Sequence, residues 1–295
     1  MREMSDAAAS TRWLGRIVRF PVTRILLFIV GTAAALWLAR LVTSGLGRGL
    51  GAWWPGAAAN VALQILAVHF AYRGMVRLLE RRSADELCLR GAARETGAGI
   101  LVGAGCLTVT VGIVAALGYY HVEGFGVWAA LATALGIAAG SSYIEEVIFR
   151  GVVFRIMEEA LGTWLALAIT VALFGLAHLG NPNATLYGAA AIGIEAGMLL
   201  GAAYVVTRRL WLAIGVHFGW NFLQAGVFGP NLSGREVGSL LQSRLSGPDL
   251  LSGGALGVEG SVFAIAVCLA ASLVLLNRTR RQGLFIRPFW RRAGS

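Results

Sequence analysis

Few ionisable side chains interrupt the long apolar runs of this chain, and three sets of them have spacings that suit catalysis. The first is the run SSYIEEVIFRG, with Glu145, Glu146 and Arg150. Residues four apart on a helix are neighbours, so Glu146 and Arg150 form an acid-first ion pair. Glu145 lies about 100° round the same helix and is left without a local cation, free to face a separate cavity as a general base. The second is Phe174-Gly-Leu-Ala-His178, in which a lone histidine would ordinarily be a packing residue. The third is His217-Phe-Gly-Trp-Asn221, whose two polar groups, four apart, project from one helical face. A buried carboxylate and hydrogen-bonding groups aimed into a bundle interior are of the types that general acid–base chemistry uses. No serine or cysteine has an evident base beside it, and Ser141 and Ser142, a turn from Glu145, read as helix-packing residues.

These groups must be positioned by membrane helices. Of the 295 residues 57% are apolar and 14% charged, against about 25% charged in ordinary soluble domains. Runs of roughly 20 apolar residues recur along the chain. Eight spans are expected, near 25–42, 55–73, 97–119, 126–155, 161–179, 184–206, 210–228 and 257–276, giving an all-α polytopic bundle. The second is the poorest, broken by Asn60, Gln64 and His69. The abundant Gly and Ala suit close helix approach. The turn near Leu161–Gly162 lies about sixteen residues from both Glu145 and His178, so an antiparallel hairpin would bring them level, ~25 Å from the turn. His217 is nearer its own turn at Arg208–Arg209, and reaches that level only if the hairpin end around Arg155, Glu158 and Glu159 projects beyond the membrane.

Net charge is +10, and all 25 basic residues are arginine. They cluster in the tail 1–24, the loop 73–94, Arg155, Arg208–Arg209 and the end 278–292, all on one side if there are eight spans. The positive-inside rule makes that side cytoplasmic, with both termini. This distribution, without any nucleic-acid-binding motif, argues against nucleic acid as a partner. The N-terminal apolar run is read as a first span rather than a signal peptide, since it is long and lacks a clear cleavage site. Cys88, Cys106 and Cys268 are scattered, so no disulfide or zinc-thiolate framework is expected, and the latter two read as buried spectators.

Four segments follow: a tail, 1–24; N-terminal helices and a basic loop, 25–124; a catalytic membrane core, 125–230; and a loop, last helix and basic tail, 231–295. Residues 235–245 are expected to form a short interfacial helix, followed by a flexible Gly-rich loop. Glu195, deep in a span, needs a partner, for which Arg150 or a motif histidine would serve. Glu259 is expected to reach water at a span end, His69 to pack at the interface and His121 to be solvated.

The motifs EExxxR, FxxxH and HxxxN, in that order and each within an apolar helix, resemble the signature of the CPBP family. These are the type II CAAX prenyl endopeptidases and related bacteriocin-processing and immunity proteins, also called Abi proteins. The resemblance covers roughly residues 125–230. It implies that Glu145 activates the attacking water, that His178 shares that water or shuttles its proton, and that His217 and Asn221 form an oxyanion hole. Glu146, Arg150 and Phe174 would support them. The implied partners are the lipid bilayer and membrane-associated peptides, some of them prenylated CAAX tails.

A metal is the open alternative. Glu145, His178 and His217 would serve as three ligands of a divalent ion such as zinc, with water as the fourth. HExxH is absent, and Asn221 fits an oxyanion role better than a ligand role, which favours the metal-free scheme. Two competing functions are a non-catalytic immunity or scaffold protein of the same family, and a transporter. The chain shows neither the internal repeat nor the paired broken helices of many transporters.

Overall fold

The computed structural model describes residues 20–50, 54–229 and 231–291, so most of the N-terminal tail lies outside it. Two helices, α1 (Pro21–Leu50) and α2 (Trp54–Met75), pack side by side. Then come α3 (Ala92–Ala116), the strand β1 (Tyr120–Phe125) and α4 (Ala129–Glu146). The chain runs from α4 through a π-helical stretch, Val147–Phe154, into α5 (Arg155–Leu161). Gly162, at φ 79°, turns it into α6 (Thr163–Ala177), close to the expected hairpin turn. Next are α7 (Leu186–Ile192), a π-helical turn (Gly193–Gly197) and α8 (Met198–Thr207). Arg208, in the left-handed conformation, leads into α9 (Leu210–Leu223).

Helices therefore occupy all eight expected ranges. Among the described residues, five are long and apolar enough to cross a membrane: Pro21–Gly45, Ala92–Ala116, Thr163–Gly180, Leu186–Thr207 and Val262–Arg281. The count of eight is not carried by the remaining three, α2, α4 with its extension, and α9, because these hold the polar residues. Asn60 and Gln64 of α2 hydrogen-bond to each other, α4 bears Glu145 and Glu146, and α9 bears His217 and Asn221.

The connection after α9 differs from expectation. In place of an interfacial helix at 235–245 the chain forms β2 (Asn231–Leu232), β3 (Arg235–Glu236) and β4 (Leu241–Leu245). β4 pairs antiparallel with β1, Tyr120 opposite Leu245 and Phe125 opposite Leu241. The Gly-rich stretch is not a loose loop. It folds as α10 (Asp249–Ser252) and two tight turns, with Gly253 and Gly257 at positive φ, before α11 (Val262–Arg281).

Among the described residues α3 and α9 share the most extensive helix contact, and glycine permits it. GxxxG occurs in both, as Gly99/Gly103 and Gly215/Gly219. A Cβ at Gly103 would lie 2.0 Å from the Val216 carbonyl oxygen, and one at Gly219 2.4 Å from that of Ile100. Backbones this close exclude any side chain. Because α9 carries His217 and Asn221, this contact sets the depth of the motif. Gly219→Val is expected to separate the pair and abolish a monodisperse folded species, read by size-exclusion elution and thermal unfolding in detergent. A wild-type midpoint would contradict this packing.

At one end of the bundle, charges from the expected cytoplasmic segments meet. Glu80 binds Arg24 (2.5 Å) and Arg155 (2.8 Å), Arg24 also binds Glu159 (2.8 Å), and Arg208 pairs with Glu158. The C-terminal segment joins them, where the Leu284 carbonyl accepts from Arg208 and that of Ile286 from the Thr163 amide. Burial pushes the Glu80 carboxyl up, but Arg155 and Arg24 pull it further the other way, to about 2 from the usual 4.5. A carboxyl depressed on folding contributes stability that is complete above its unfolded value and is lost as pH falls through the folded one. Thermal stability should therefore fall between pH 4.5 and about 2, and less steeply in Glu80→Gln.

Candidate active site

The three motifs converge on His217. Its Nδ1 lies 2.9 Å from Glu146 Oε1, and its Nε2 4.0 Å from Glu145 Oε2. Neighbouring residues of α4, pointing about 100° apart, thus hold the imidazole from two sides. Glu146 Oε1 also accepts from Arg150, 3.0 Å away, and neither side chain of this pair has solvent exposure. The expected ion pair is present, with a second task that spacing did not reveal: Glu146 fixes the ring of a histidine 71 residues away.

Arg150 ties this group to the next helix. It donates to the carbonyls of Ala196 (3.3 Å) and Gly197 (3.1 Å) and stacks over the Phe174 ring, 4.7 Å from its centroid. Both Arg150 and those carbonyls lie in π-helical stretches. Such widened turns disturb the regular i→i+4 ladder and recur at functional sites. Here the side chain of one serves backbone groups of the other, which a buried carbonyl requires.

Phe174 stands between the two histidines, 4.7 Å from the His178 ring and 6.3 Å from that of His217. His178 Nδ1 is 2.8 Å from the Phe174 carbonyl, so it donates there and leaves Nε2 as an acceptor. No hydrogen bond or ion pair joins Glu145 to His178. Asn221 donates from Nδ2 to Ser141 Oγ at 3.0 Å, so Ser141 positions the motif asparagine as well as packing.

His178, His217 and Asn221 line one cavity of ≈ 30 Å³, together with Phe174, Glu195 and Glu259. About 10–15 Å³ suffices for one water. The two further acids correct the sequence reading. Glu195 pairs with neither Arg150 nor a motif histidine, but accepts from Cys268 Sγ at 3.3 Å, so Cys268 is no spectator. Glu259 does not face water: it is buried and accepts from the Ser233 amide. Spacing could not expose either contact, since each joins segments far apart in the chain. His69 Nδ1 meets the Tyr143 hydroxyl at 2.6 Å, and His121, half-buried rather than solvated, meets Ser246 Oγ at 2.8 Å. Among the described residues no three His, Cys, Asp or Glu side chains are grouped as a metal ion would need. The set Glu145, His178 and His217 does not fit that alternative as arranged.

Residues 123–223 match the family model described as type II CAAX prenyl endopeptidase Rce1-like. That segment, about a third of the chain, is similar to an Rce1-like domain. All three motifs fall within that segment, and the five apolar helices, two of them inside it, agree with an integral membrane protein of a CAAX-type protease family. No curated protein and no solved structure matches the chain. Glu259 and the β4 strand lie beyond the Rce1-like segment, yet Glu259 contributes to its cavity.

Proposed function

We propose that the protein is an intramembrane endopeptidase that cleaves membrane-associated peptides with a glutamate-activated water. The carrying observation is the placement of His217, hydrogen-bonded through Nδ1 to Glu146 and with Glu145 4.0 Å from Nε2, on the cavity it shares with His178 and Asn221.

Glu145 Oε2 has no hydrogen-bond partner among the described residues, so it is open to take a proton. In the proposed reaction a water attacks the scissile carbonyl carbon and gives its proton to Glu145. Electron density moves onto the carbonyl oxygen, where His217 and Asn221 donate hydrogen bonds. One Asn221 N–H is held by Ser141, which leaves the other to donate. With Nδ1–H bound to Glu146, His217 donates from Nε2 in its protonated form. Protonation also balances Glu145, Glu146 and Arg150 to zero net charge. Collapse of the intermediate breaks the C–N bond, and the proton reaches the leaving amine from Glu145 or through His178 Nε2. No step is routed through a metal.

Prenylated CAAX-type peptides are the first substrates to try, because the Rce1-like match names that class. The arginine clusters favour a cytoplasmic position for the charge-paired end and both termini. The test is hydrolysis of membrane-anchored peptides, with and without a prenyl group, by purified protein in lipid. Cleavage that continues after exhaustive chelation supports the metal-free scheme. Absence of any cleavage across such a panel would leave a binding role in its place.

A further inference from the structure

A second built feature lies away from this cavity, at the charge-paired end of the bundle. A groove of ≈ 780 Å³ is lined by Phe70, Arg73, Arg77, Arg81 and Arg82, with Gly74, Ser83 and Ala84. The arginines differ in what they are doing. Arg82 is committed to Glu80 and Glu86, at 2.7 and 2.9 Å. Arg73, Arg77 and Arg81 form no ion pair among the described residues, and all three are exposed. Arg73 Nη1 lies 3.5 Å from His69 Nε2. Two of the acids nearby are already paired with arginines, Glu80 with Arg24, Arg82 and Arg155 and Glu86 with Arg82, while Asp85 accepts from the Ser83 hydroxyl. Arg81, at φ 56°, ends the helical run, and the chain turns so that Arg82 reaches the acids while Arg81 stays on the groove.

Three positive charges around one concave surface, with no acid of their own, call for an anion. The rest of the helix face says which. Leu66, Phe70, Arg73 and Arg77 follow at intervals of three and four, so they form one stripe. Leu66 is 50% and Phe70 65% exposed. The stripe thus passes from apolar to cationic at the end of α2, the order met along a lipid from acyl chain to phosphate.

We infer that this groove is a binding site for the headgroup of an anionic phospholipid, its phosphate held by Arg73, Arg77 and Arg81 and its acyl chain lying along Phe70 and Leu66. Basic pockets at the cytoplasmic side of membrane helices hold anionic lipids in this manner, and the guanidinium fork suits a phosphate's oxygens. The inference does not depend on peptidase activity.

The experiment is native mass spectrometry of the purified full chain, titrated with phosphatidylglycerol, phosphatidylcholine or glycerol 3-phosphate. The wild type should hold one phosphatidylglycerol in preference to phosphatidylcholine, with glycerol 3-phosphate competing poorly. Joint replacement of Arg73, Arg77 and Arg81 by Gln should weaken that lipid on the order of a hundredfold. Replacing Arg278, Arg280 and Arg281, which remove the same charge away from the groove, should leave it bound. If the triple variant does not fold, Arg77→Gln alone should show a partial loss, and an unchanged affinity there counts against the site. Equal loss in the control variant would mean a diffuse surface field, and equal binding of phosphatidylcholine or efficient competition by glycerol 3-phosphate would likewise overturn the lipid assignment.

Discussion

Glu146→Ala should destabilise the protein by about 3–5 kcal/mol, the range for breaking a buried ion pair from one side. The substitution leaves Arg150 without exposure and without an acid within bonding distance. Two backbone carbonyls and the Phe174 ring would remain to it, and these are neutral. The accompanying loss of the His217 Nδ1 partner loosens the ring at the centre of the site. Thermal or denaturant unfolding in a fixed detergent reads the effect. Glu146→Ala combined with Arg150→Met should recover part of the lost stability, because an apolar pair of similar volume needs no charge compensation. It should not recover activity, since His217 stays unanchored. If Glu146→Ala unfolds like the wild type, the buried pair does not have the structural role assigned to it.

His217→Ala should have the largest effect on catalysis after loss of the base. Removing one oxyanion donor typically lowers kcat by about 10²–10³. Here the same change also removes the group that lies between the two glutamates. The loss should appear in kcat more than in KM, because the bond to the carbonyl oxygen strengthens only as charge develops there. Asn221→Ala should show a smaller loss of the same kind, as its second N–H is tied to Ser141. A rise in KM with kcat preserved would instead place His217 in substrate binding.

Much of this site is legible in the sequence because it is written in local spacing. Four residues separate Glu146 from Arg150 and His217 from Asn221, and a helix turns each interval into a shared face. The turn at Gly162 was equally local. What the spacing does not carry is which partner a side chain meets across the bundle. Glu146 bonding His217, Glu195 meeting Cys268 and Glu259 turning inward are all contacts between distant segments. The same reason explains β4. Leu241-Gln-Ser-Arg-Leu245 alternates as a strand does, but a lone strand has no stability of its own. Its partner β1 lies on the far side of the motif region. The span count is ambiguous on physical grounds, because polar residues make α2, α4 and α9 less apolar than the other long helices.

The central claim is that Glu145 takes the proton of the attacking water. The most direct measurement is single-turnover cleavage of a membrane-anchored prenylated peptide by Glu145→Gln. Glutamine keeps the shape and removes the basic oxygen. The account predicts a folded protein with wild-type unfolding behaviour, retained substrate binding and a cleavage rate lowered by about 10²–10⁴, the usual contribution of a general base. A Glu145→Gln protein that cleaves at the wild-type rate would contradict it.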